Sequence, residues 1–267
     1  YQNDDNLKDG LSRLAYFLMS QGRCIEAEAL FKRDYELERQ TWWLQLRHAE
    51  CRFANGNFIG AEEMVAAIYA KYSDAVNGYA SLAMRSHALG RKEQALNLLR
   101  LDIEHNRLSP GFRLNAAVLL AQNNCLDEGL EQVASAYAAD AALRDGYARI
   151  GDCFRGAERY ADALAFYSRD AAIERLTPAA YLIYAEMLAN TCDWERAEQA
   201  VEKAYALDEK LQDGYAVLMK NLPVDIDLSR VTCYSNRDAK FCRLSPAEHV
   251  NREARRAVYL RAHATKA

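Results

Sequence analysis

The chain has 267 residues, 51% hydrophobic and 27% charged, with a formal charge of −4 and a pI near 5.8. That balance describes a globular protein rather than a disordered one. Four prolines and twelve glycines are too few for the turns of an all-β fold, and no run approaches the roughly 18 apolar residues a membrane helix needs.

The chain opens at Tyr1 on a polar stretch with neither an initiator Met nor a signal peptide, and so reads as a trimmed or mature form. Its seven cysteines form no CxxC and no Cys/His cluster with zinc spacing. They read as reduced thiols, which points to the cytoplasm, or to the periplasm if a signal peptide has been removed. Cys233 and Cys242 are the one pair near enough in sequence to bridge.

In chain order, six units fall in phase at a period of 34. Ala15, Ala49, Ala83, Ala117, Gly151 and Ala185 mark one small-residue position, and Ala27, Ala61, Ala95, Gly129, Ala163 and Ala197 a second. Four residues after each of the second set stands Phe31, Val65, Leu99, Val133, Tyr167 or Val201. Small residues in phase on two helices predict hairpins whose helices cross closely, with Gly22, Gly56, Gly90 and Asn124 at the turns of the first four.

This pattern resembles the tetratricopeptide repeat over roughly residues 8–222. It departs from the family at the end of each second helix, where Arg39, Ser73, Arg107, Ala141, Arg175 and Glu209 replace the family's Pro. The resemblance implies an all-α fold, a right-handed superhelical solenoid of six helix hairpins with a C-terminal capping helix and an irregular tail. Residues 1–222 form the solenoid and 223–267 a connector with a basic helix.

A second period, of 68, lies over the first: Asp9-Gly10, Asn77-Gly78, Asp145-Gly146 and Asp213-Gly214. In alternate units Thr41, Ser109 and Thr177 open a helix, the last two followed by Pro110 and Pro178, a hydroxyl N-cap with proline at N1. The segments Asp34–Thr41, Asp102–Ser109 and Asp170–Thr177 echo one another, each with Arg two residues before the cap. A pair of hairpins is therefore the structural unit, read either as two alternating packing environments or as a two-repeat grip.

A seventh first helix, Gln212–Asn221, ends the pattern at Leu222-Pro223. Residues 223–240 show no helical period and read as a connector. Ser245-Pro246-Ala247-Glu248 then opens a last helix with a capping box, bearing Arg252, Arg255, Arg256 and Arg261. Residues 223–267 hold nine Lys/Arg against five Asp/Glu, so the basic tail is expected to fold back on the acidic array as a cap. A lost neighbouring domain, nucleic acid or anionic lipid are the alternatives for it.

The resemblance also implies a concave groove lined by the first helices. Helical spacing places Arg13, Tyr16 and Met19 on that face, then Arg47, Glu50 and Phe53, then Ser81, Met84 and His87. Asn115 and Val118 continue it, followed by Arg149, Asp152 and Arg155, then Ile183, Glu186 and Asn190, with Trp43 near the first end. The family's Lys/Asn clamp for a C-terminal carboxylate is not reproduced: Leu46, Ala80, Leu114 and Ala148 stand at the Lys position. The mixed charges suit an amphipathic segment, although Arg47–Glu50 and Arg149–Asp152 are also plain i,i+3 surface pairs.

Five scattered histidines, no nucleophile–base pair, no metal spacing and no phosphate loop give catalysis no support. The expectation is a non-enzymatic scaffold or adaptor without cofactor or metal, holding a protein or peptide. Nucleic acid and membrane insertion are not expected, and self-association stays open. The alternative is the repeat region of a larger bacterial enzyme or export protein, such as a glycosyltransferase or polysaccharide-secretion component, motivated by the missing Met and the end at Ala267.

Overall fold

In the computed structural model the described residues are 8–220, 228–240, 243–248, 251, 257–258 and 261. They form α-helices and no strand. The chain divides into two compact units, Tyr1–Asp140 and Ala141–Ala267.

The first unit holds four hairpins: α1 (Gly10–Ser20) with α2 (Cys24–Glu36), α3 (Trp42–Ala54) with α4 (Phe58–Lys71), α5 (Gly78–Ala88) with α6 (Lys92–Glu104), and α7 (Pro110–Gln122) with α8 (Leu126–Ala139). The second holds α9 (Gly146–Gly156) with α10 (Tyr160–Ala172), α11 (Pro178–Asn190) with α12 (Trp194–Leu207), and α13 (Gly214–Lys220) with α14 (Leu228–Lys240). We call the first helix of each hairpin A and the second B.

The in-phase small residues sit where expected. Ala15, Ala49, Ala83, Ala117 and Ala185 are fully buried, as are Ala27, Ala61, Ala95, Ala163 and Ala197. The two glycines of the series show why nothing larger fits. A Cβ on Gly129 would lie 2.9 Å from the Ala117 carbonyl oxygen, and one on Gly151 2.9 Å from the Tyr167 ring. The bulky series, Phe31, Val65, Leu99, Val133, Tyr167 and Val201, fills the space beside each crossing at 0–1% exposure.

Each of the first six hairpin turns passes through one left-handed residue. Gly22, Gly56 and Gly90 occupy it first, then Asn124, Glu158 and Cys192 with φ near +60°. Glycine adopts that conformation freely, whereas a side chain there costs about 1 kcal/mol.

The 68-residue period comes from two alternating connector types. Asp9, Asn77, Asp145 and Asp213 all have φ of 61–66°, so none caps its own helix. Each side-chain oxygen instead accepts the N–H of the residue opening the next A helix: Asp9 from Thr41, Asn77 from Ser109, Asp145 from Thr177 and Asp213 from Ser245, at 2.7–2.8 Å. Their own N–H groups donate to the carbonyls of Arg39, Arg107, Arg175 and Arg243. The vacated cap is supplied from the B helix of the same hairpin. Asp34, Asp102, Asp170 and Asp238, all 0–1% exposed, accept the N–H of Ser12, Ala80, Ala148 and Ala216. A carboxylate at N3 satisfies an otherwise orphaned donor.

The exchange also revises the hydroxyl caps. Thr177 accepts from Ala180 N–H, as expected. Thr41 instead donates to the Asp9 carboxylate, and Ser109 accepts from the Asn77 amide.

Over 228–240 the connector reading is overturned by α14, which packs on α13; residues 223–227 lie outside the described residues. Val231 and Ser235 break the small-then-bulky signature there, but Asp238, Arg243 and Ser245 keep the clamp of the earlier blocks. Only half of the expected capping box forms: Glu248 N–H donates to Ser245 Oγ at 3.3 Å, but the Ser245 N–H is taken by Asp213 and the Glu248 carboxylate faces Lys220 at 3.5 Å. The 222/223 boundary, Cys242, Arg252, Arg255 and Arg256 lie outside the described residues. Among the described residues no helix is long and apolar enough to cross a membrane.

Candidate functional site

Within the first unit the A helices α1, α3, α5 and α7 lie side by side, each against the next. Side chains on their shared face join successive helices. Tyr16 on α1 meets Trp43 on α3 edge to face, with centroids 6.0 Å apart. Glu50 on α3 takes Arg47 at 2.5 Å and Arg85 from α5 at 3.0 Å. His87 on α5 faces the Asn123 amide at the end of α7, 3.4 Å away.

The expected groove residues divide by burial. Arg13 is exposed, and Tyr16 and Trp43 keep 43% and 39% of their surface. Arg47, Met84 and His87 are half-buried. Phe53 is a correction: it is fully buried against Phe58, with ring centroids 4.7 Å apart, and is unavailable to a ligand. Glu50 is 3% exposed and already neutralised by its two arginines, so it shapes the face without being offered to a partner.

Arg85 was not legible as a face residue. Its repeat position holds Cys51 and Leu119, both in the core, and only its length lets the guanidinium reach Glu50. Trp42, beside Trp43, is committed elsewhere and donates its indole N–H to Asp74 at 3.0 Å.

In the second unit, Asp152 accepts from Arg155 at 3.1 Å and from the Tyr167 hydroxyl at 2.7 Å. Burial and that carboxylate push the Tyr167 phenol above its ordinary range, so it stays a donor. Asp152, Arg155 and Glu186 share the wall of a cavity of about 350 Å³ with Tyr160, Met187 and Asn190. Tyr160, 43% exposed at the start of α10, is a member that spacing on the A helices alone cannot find. Arg149 is exposed on α9.

No protein-family model matches the chain, and no curated protein matches it. Solved structures do resemble it. The C-terminal part of a TPR repeat-containing protein from Cytophaga hutchinsonii superposes with a TM-score of 0.50 at 16% identity, covering 74% of this chain and 79% of that one. This chain has the tetratricopeptide-repeat fold. A tetratricopeptide repeat protein from Parabacteroides merdae covers 94% of this chain and 98% of its own, with a TM-score of 0.45 and 12% identity. In alternate units, where Arg39, Arg107 and Arg175 replace the family's proline, the carbonyl of that Arg accepts the N–H of Asp9, Asn77 or Asp145.

Proposed function

We propose that this chain is a non-catalytic binding scaffold whose A-helix faces hold a segment of a protein partner. The observation that carries the reading is the Tyr16–Trp43 pair. Two large aromatic rings stand partly open on adjacent A helices. They are braced by each other rather than covered, as interface anchors are. In the second unit, the depression walled by Asp152, Arg155, Tyr160 and Glu186 offers both charges and an aromatic ring to the same kind of ligand.

The test compares the intact chain with Trp43→Ala and Arg149→Glu in pull-downs, after circular dichroism shows that both variants fold. A partner held by the intact chain and lost from either variant supports the scaffold. Equal capture by all three would sink it.

A further inference from the structure

The charges of the first unit are sorted by helix type. Its four A helices carry five arginines and a single carboxylate, Glu50. Its four B helices carry twelve Asp and Glu against five Lys and Arg. Two of the A-helix arginines turn toward the B helices or the loops. Arg52 approaches Glu28 of α2 at 3.9 Å, and Arg113 donates to Gln132 and Asn106. The face itself is left with Arg13, Arg47 and Arg85 against a buried Glu50 that is shared between two of them. Arg13 has no ion pair among the described residues. Tyr16, Trp43 and Met84 stand on the same three helices, α1, α3 and α5, as these cations. The second unit shows no such sorting, since α9, α11 and α13 hold Arg149, Arg155 and Lys220 against Asp152 and Glu186.

We propose that the A-helix face of the first unit binds an acidic polypeptide segment, with an apolar or aromatic side chain of that segment seated against Tyr16 and Trp43. This deepens the scaffold reading and rests on it. A carboxylate arriving near Arg13 and Arg47 meets two guanidinium groups and no competing exposed acid on the A helices. The acid-rich B helices repel the same segment and so orient its approach. Three cations less the shared Glu50 leave a net charge of +2, which matches about two carboxylates. That charge does not match a duplex, which presents a charge about every 1.7 Å.

The probes are labelled peptides of about 12 residues with identical Leu and Phe positions. Their charged positions are all Asp/Glu, all Lys, or alternating, and binding is read by fluorescence anisotropy on the full chain. The acidic peptide is expected to bind at least ~10-fold tighter than the Lys peptide at low salt, and to weaken as salt rises. Arg13→Glu and Trp43→Ala, both at exposed positions, are each expected to weaken it ~5-fold or more. Asn97→Ala, an uncharged change at an exposed position of α6, should leave it unchanged.

If the Lys or alternating peptide binds better and still depends on Trp43, the acidic partner is overturned while the scaffold reading stands. If no peptide responds to Trp43→Ala or Arg13→Glu, both fall. Tighter binding of a single-stranded oligonucleotide or of anionic vesicles through Arg13 would also overturn the proposal, in favour of phosphate.

Discussion

Replacing Asp102 by Asn should change how the stability of the first unit depends on pH. Asp102 is fully buried, and burial raises its carboxyl from 3.8 to about 6 against the opposing pull of the Tyr69 hydroxyl and the Ala80 N–H. A group whose folded pKa is raised contributes stability that is fully present below the unfolded value. That stability is lost as pH rises through the folded one. Two units at about 1.4 kcal/mol each correspond to ~3 kcal/mol lost between pH 4 and pH 6.5. Asn keeps an acceptor for the Ala80 N–H but cannot ionise. Relative to wild type, Asp102→Asn should therefore gain ~3 kcal/mol as pH rises across that window. The assay is urea unfolding at pH 4.5, 5.5, 6.5 and 7.5. Amide exchange in α5 is followed alongside, because repeat arrays open locally. A variant whose pH slope equals that of wild type would refute burial as the cause of the shift.

His48 should give the opposite slope. It is 4% exposed, stacked on Phe31 at 5.3 Å, and lowered from 6.5 to about 4 by burial and the nearby Arg52. Its depressed pKa means that stability is lost as pH falls from 6.5 through 4, by ~3 kcal/mol. Wild type should thus look nearly flat over this range, and His48→Leu should unmask the Asp102 slope. An unchanged flat profile in His48→Leu would count against the assignment. At the hairpin turns, Glu158→Gly and Cys192→Gly remove left-handed side chains at the position that Gly22, Gly56 and Gly90 fill in other hairpins. Each should stabilise the second unit by ~0.5–1 kcal/mol in urea unfolding, and a loss of stability would show that the side chain makes a compensating contact.

The hairpins were legible because their signal is steric and local. Only a small residue survives a close crossing, so Ala15 through Ala197 had to recur whatever the rest of the sequence did. The clamp was half legible. Asp-Gly and Asn-Gly at 68-residue spacing were visible, but their partners lie 32 residues away and their left-handed backbone has no signature beyond the residue type. α14 lacks the small-then-bulky pair, since Val231 and Ser235 stand at those positions, and its signature is the buried Asp238, which repeats Asp170 and Asp102. On the candidate face, spacing grouped Tyr16, Trp43 and Arg47 with Phe53 and could not separate a partly open ring from a buried one. Both satisfy the same helical period, and depth below the surface is set by the neighbouring hairpin.

The clamps bear on the candidate face through where they place carboxylates and how they fix the A helices. An A helix in most proteins would carry Asp or Glu in its first turn to complement its dipole. In the first unit's odd hairpins, α1 and α5, that role is filled by a B-helix aspartate reaching across, Asp34 or Asp102, so the A helix needs no acid of its own. The even hairpins begin from Thr41 and Ser109, tied to Asp9 and Asn77 at the level of the preceding connector. Moving the capping charge onto the B helix relieves α1 and α5 of a first-turn acid, but α9, capped in the same way by Asp170, still carries Asp152 beside its arginines, so the clamp permits a cationic face without imposing one. The same bonds also fix the start of α3 against α1 and of α7 against α5, and hence the separation of Tyr16 from Trp43. Removing a clamp should therefore weaken peptide binding even where no clamp residue touches the peptide. Asp9→Ala, which releases the Thr41 N–H, should loosen the Tyr16–Trp43 contact and lower affinity for the acidic probe by severalfold. Anisotropy at fixed salt measures the loss, with helicity by circular dichroism as the check on folding. Wild-type affinity in a folded Asp9→Ala chain would show that the aromatic pair holds its own geometry.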